Sequence, residues 1–202
     1  MSGAIRRGDA VLVDELGQGL LSASIAFGTK LRYGRDSPYA KWTHIAIVYD
    51  ALSDDPSEIT LVEARARTSV HKAPLSKYAD RYGVVHTEVH DRDWREIRLF
   101  LDRTLKARER YDYVAYAGLT LYALTGTKLC ISSAGTATCS GLVADALTRA
   151  GFVWTRPAYA MTPANVAEDL VASHCRITSR VVEPKPRSIT SQLSEVVSGM
   201  RR

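Results

Sequence analysis

The chain has 202 residues, 46% hydrophobic and 24% charged, which suits one domain with its own core. Its net charge of +5 is scattered, at Arg65 and Arg67, Arg92 and Arg95, Lys106 and Arg108, and Arg176 and Arg180; that describes a solvated surface, and specific nucleic-acid binding is not the expected function. No stretch approaches the roughly 18 uninterrupted apolar residues of a membrane span, and three cysteines without a C-x-x-C pair argue against a disulfide framework or a thiolate zinc site.

In chain order, the apolar run Asp9 to Val13 after a Gly-Asp turn predicts a first strand, and Leu21, Ile25, Phe27 and Leu31 predict a short helix over 20–31. Gly34 to Trp42, with Asp36, Ser37 and Pro38, reads as a loop. His44 to Tyr49 (HIAIVY) and Thr60 to Ala66 (TLVEARA) predict two strands, antiparallel because only a short Ser-Asp-Asp-Pro-Ser turn region joins them. Val70 to Ala73 and Val84 to Val89 predict further strands, with a helical turn near Leu75 to Arg81. Asp93 and Glu96 have capping-box spacing before a stripe of Trp94, Ile97, Leu101 and Leu105, so a helix is expected from Asp93. Tyr111 to Tyr122 reads as another helix, followed by a loop through Ala137.

The clearest helix starts at Cys139, with Leu142, Val143, Ala146, Leu147 and Ala150 on one stripe, Thr138 as cap and Gly151 at its end. Thr162-Pro163 opens a last helix to Val171. From about Val181 the chain loses its apolar patterning and gains Pro184, Pro186 and several serines, which reads as a tail. The expected division is a domain over 1–175 and a basic arm over 176–202.

Chemistry narrows attention to Cys139. A thiol attacks a carbonyl as the thiolate, and a helix N-terminus and a neighbouring imidazole both favour that form. Cys139 occupies such a first turn, behind the small-sided run Ala134-Gly135-Thr136-Ala137-Thr138, and backbone N–H groups there suit an oxyanion. Spacing alone equally describes a packing cysteine. His44 opens an apolar strand, and Glu63 lies inside the next, in the context Leu61-Val62-Glu63-Ala64, where a carboxylate needs a partner. On antiparallel neighbours the two can share a face, Glu63 fixing the imidazole tautomer; Arg65 is the alternative partner for Glu63. His86 and His90 have helical metal spacing but lie in a predicted strand, so no metal site is expected. His71 lies in a short predicted strand with no acidic partner nearby and reads as a surface or structural residue, and the pair His174-Cys175 reads as structural.

Taken together, Gly8-Asp9-Ala10-Val11-Leu12-Val13, Thr43-His44-Ile45-Ala46-Ile47-Val48, Leu61-Val62-Glu63-Ala64, Tyr111-Asp112-Tyr113, Thr138-Cys139-Ser140-Gly141-Leu142-Val143 and Met161-Thr162-Pro163-Ala164 carry a resemblance over roughly residues 8–170. The sequence resembles the circularly permuted, YiiX-like branch of the NlpC/P60 papain-like superfamily, which is related to the lecithin:retinol acyltransferase type. The resemblance implies an α+β, papain-like fold, with an antiparallel sheet packed against the nucleophile helix. It implies Cys139 as nucleophile, His44 as base and Glu63 as the group that orients it. Tyr111 and Tyr113 are candidate substrate contacts or oxyanion donors.

The expected function is therefore a cysteine hydrolase that cleaves an amide bond, as in a peptidoglycan peptide, with no cofactor. The same triad also suits a lipid ester or acyl-amide, and a third expectation is an assembly protein, of a phage virion for example, that keeps the fold and docks or oligomerises through its tail. The residues Met1 to Asp9 lack the apolar segment of a secretion signal. The protein is expected to be cytoplasmic, or to reach a cell wall through a holin, a specialised export route or a virus particle.

Overall fold

The computed structural model describes residues 4–15, 37–66, 68–79, 81–114 and 135–179, together with Phe27, Lys30 and Gly118. Apart from Phe27 and Lys30 the expected helix over 20–31 lies outside the described residues, as do most of the expected helix after Tyr111, Cys130 and the tail beyond 179.

Strands β1 (Ala10–Val13), β2 (His44–Ala51), β3 (Ile59–Ala64), β4 (Val70–Pro74), β5 (Tyr82–His86) and β8 (Arg176–Ser179) form one antiparallel sheet in the order β4-β3-β2-β1-β5-β8. The central strands β1, β2 and β3 are rich in Val, Ile and other apolar residues that fit a pleated, buried surface. The register is fixed by pairs such as Leu12 with Ile45, Ile47 with Val62 and Val11 with Val84. A slip of one residue would turn each strand's side chains to the opposite face.

Side chains alternate between two cores. Ala10, Leu12, Ile45, Ile47, Val62 and Val85 face the helices, whereas Val11, Val13, Ala46, Val48, Leu61 and Val84 face Leu75, Tyr78 and Tyr82. The short 3-10 turn Leu75–Tyr78 thus closes the second face where the sequence predicts a helical turn.

Three helices lie among the described residues: α1 (Asp91–Ala107), α2 (Cys139–Thr148) and α3 (Pro163–Ala172). In α1 the stripe Trp94, Ile97 and Leu101 is buried as its spacing predicts. The helix starts at Asp91, two residues before the expected start, and His90 caps it without a side-chain bond. Asp91 is held there by Arg7 at 2.7 Å. Carboxylates in the first turn match the positive end of the helix dipole wherever the boundary falls.

The helix α2 begins at Cys139 as expected, with Thr138 Oγ1 accepting from Gly141 N at 3.0 Å. Thr162 caps α3 and shares a capping box with Asn165, and Pro163 takes the first position. Tyr111 is not helical. It belongs to β6 (Arg110–Tyr111), which pairs in parallel with β7 (Thr136–Ala137). Helical conformation starts only at Tyr113. The sheet also reaches past the predicted domain edge, because Ile177 and Thr178 of β8 pair with Val85 and Val84. The described chain is thus an α+β protein built on an antiparallel sheet.

Candidate active site

Glu63 sits on β3 with no exposed surface. The register that pairs Ile47 with Val62 and Val48 with Leu61 runs on to set Ala46 against Glu63, so His44, two residues away on the same face, lies diagonally beside it. His44 Nε2 lies 2.7 Å from Glu63 Oε2. His44 is the first residue of β2 and is buried. Cys139 arrives there from the first turn of α2.

The imidazole and the thiol interact. Burial by itself pulls His44 down, but hydrogen bonding to Cys139 and Glu63, and the charges of both, outweigh it and raise the imidazole to about 9. With Nε2 engaged by Glu63, Nδ1 is the nitrogen left to face the sulfur. Burial likewise tends to raise Glu63, yet His44, Lys77 and Tyr78 hold its carboxyl far below the usual range. The sequence-predicted residues Cys139, His44 and Glu63 are therefore brought together from α2, β2 and β3.

Three further residues gather at Glu63 that sequence reasoning missed. Lys77 Nζ donates to Oε1 at 2.6 Å, and the Tyr78 hydroxyl donates to Oε2. His71 Nε2 stands 3.1 Å from Oε1, because the β3–β4 register sets His71 directly opposite Glu63. The reading of His71 as lacking an acidic partner is thus corrected. That pairing depends on the register of two strands, which local sequence pattern does not reveal. No local pattern announces Lys77 and Tyr78, which are folded back over the sheet by the 3-10 turn. Tyr78 is itself pushed up, first by burial and then by the charge of Glu63.

Arg65, the alternative partner, is only peripheral: it pairs with Glu15 at 2.7 Å and lies 3.9 Å from Glu63. Tyr111 is buried and packs edge-on against the half-exposed Tyr113, with ring centres 5.3 Å apart. Tyr111 also pairs through its backbone with Ala137, two residues before Cys139. A pocket of about 410 Å³ opens beside this turn, bounded by Thr138, Gly141, Leu142, Asp112, Asp145 and Tyr159. Neither Tyr111 nor Tyr113 lines it.

His86 belongs to a separate buried pair, with Asp9 at 3.1 Å and Thr178 at 3.0 Å, and it ties β1, β5 and β8 together. The Cys175 thiol is pushed up by burial and by the charges of Glu88 and Asp9. No helix among the described residues is long and apolar enough to cross a membrane. No family model matches the chain, and no curated protein matches it in sequence.

Proposed function

We propose that this chain is a thiol hydrolase of the circularly permuted papain-like kind, cleaving an amide bond in a peptide of the peptidoglycan type. The observation that carries the reading is the unbroken contact Glu63–His44–Cys139, buried and drawn from three elements. His44 takes the proton of Cys139, and the sulfur attacks the substrate carbonyl to give a tetrahedral intermediate. The amides of Cys139 and Ser140, in the first turn of α2 and so without an acceptor in the helix, are suited to its oxyanion. His44 then returns the proton to the leaving amine as the carbon–nitrogen bond breaks, which leaves a thioester. Water, deprotonated by His44, releases the acid and restores the thiol.

Iodoacetamide labelling with mass mapping tests this directly: Cys139 is expected to react faster than Cys130 and Cys175. Equal rates at all three would sink the reading. A screen of muropeptides against short-chain acyl esters then separates amide from ester chemistry. Cleavage of neither, with Cys139 unreactive, would favour an assembly role through the tail.

A further inference from the structure

His71 belongs to the Glu63 cluster without a part in the reaction just described. Its two ring nitrogens face two oxygens. Nδ1 lies 2.8 Å from the Ser69 carbonyl, which only accepts. Nε2 lies 3.1 Å from Oε1 of Glu63, an ionised carboxylate that also only accepts. A neutral imidazole carries one N–H, so it satisfies one of these neighbours and turns a lone pair on the other; the imidazolium satisfies both.

We propose that His71 is a positioning residue of this site, an imidazolium that holds Oε1 of Glu63 so that Oε2 stays fixed beneath His44. The two carboxylate oxygens then have separate duties. Oε2 takes His44 and the Tyr78 hydroxyl, and Oε1 takes Lys77 and His71. A carboxylate gripped at both oxygens cannot rotate, and the tautomer and tilt of His44 follow from its orientation.

Several charged groups face His71. Glu63 on β3 attracts the positive ring, while Lys77 on the 3-10 turn shares the same oxygen and repels it. Arg65 lies 3.9 Å from Oε2 with its charge engaged by Glu15, and His44 and Tyr78 lie beyond on Oε2. A ring that turned a lone pair to Oε1 would leave Lys77 to hold that oxygen alone.

The catalytic consequence rests on the proposed function, but the coupling itself does not. Ring nitrogen signals of His71 and His44 are read by 15N NMR of the labelled full chain, in the parent and in H71Q. Both His71 nitrogens are expected to carry protons in the parent, and the His44 signals are expected to move in H71Q. A neutral His71 in the parent, or His44 signals unchanged in H71Q, overturns the inference. The second measurement is the pH profile of Cys139 alkylation in H71Q and H71K. At neutral pH, H71Q is expected to react about three- to tenfold more slowly than the parent, and H71K, which keeps the charge, to recover most of the loss. An H71Q profile superposable on the parent's overturns the inference while leaving the hydrolase reading intact. An unreactive Cys139 in the parent ends the hydrolase reading and the positioning role together, whatever His71 does. If H71Q does not fold, the parent spectrum and H71K still decide.

Discussion

Glu63 concentrates more interaction than any other described side chain around the site. Its carboxylate is fully buried and accepts from Lys77 and Tyr78 while lying beside His44 and His71. A buried charge survives only when its lone pairs are matched, and here each oxygen has two partners. Glu63→Gln keeps the size and loses the charge, and it presents an amide N–H₂ to groups that themselves donate. Destabilisation of about 3 kcal/mol is expected from urea unfolding. Cys139 alkylation should slow at least tenfold at neutral pH, because His44 loses the partner that fixes its tautomer. Unchanged stability in this variant would mean that the cluster is not satisfied as described. At this scale the residues of the proposed reaction were legible and their supports were not. Cys139, His44 and Glu63 each sit in a telling local context, a capped helix start, a strand start and an acid among apolar neighbours. Lys77 and His71 look like ordinary surface residues until the sheet is assembled.

Among the elements, β2 and β5 hold the site through a close packing that the sequence hides. Gly83 of β5 lies under Trp42, and a Cβ there would stand 3.0 Å from the indole ring. Trp42 is 2% exposed and stands two residues before His44, so it has little room to move. Gly83→Ala should destabilise the protein by roughly 1–3 kcal/mol through overpacking, read as a lower melting temperature, and should slow Cys139 alkylation as the start of β2 shifts. Wild-type stability for this variant would show that Trp42 yields readily. The helix starts were legible at Thr138 and Thr162, because a cap is a bond between residues three apart. The start of α1 was misplaced because Asp91 and Asp93 offer the same first-turn chemistry, and the Arg7–Asp91 pair comes from the far end of the chain. Tyr111 was read as helical because its aromatic neighbours suggested it, yet its strand depends on Thr136 and Ala137, which local pattern does not reveal.

For the whole molecule, the buried pair sets a stability profile against pH. His44 is raised above its ordinary 6.5 to about 9, so its contribution is complete below 6.5 and is lost as pH rises through about 9. Glu63 is depressed below its ordinary 4.5, so its contribution is complete above 4.5 and is lost as pH falls through the acid range. Asp9 opposes this at the acid end, since burial raises its carboxyl and the folded protein prefers it protonated. Melting temperature is therefore expected to be highest between about pH 4.5 and 6.5 and to fall steadily toward pH 9. A profile flat from 6.5 to 9 would show that His44 is not held as an imidazolium in the folded state.

The sequence by itself determined the order His44, Glu63, Cys139, the strands that carry the first two, and the capped helix that presents the third. These follow from periodicity and from contacts within one turn, which are written locally. Only the tertiary structure decided what surrounds Glu63. Its partners lie 14, 15 and 19 residues away at Lys77, Tyr78 and His44, and His71 meets it only through the register of the β3–β4 pair. Such neighbours are selected by strand pairing and by the fold of one 3-10 turn onto the sheet, where burying a charge leaves no arrangement stable except one that matches both of its oxygens.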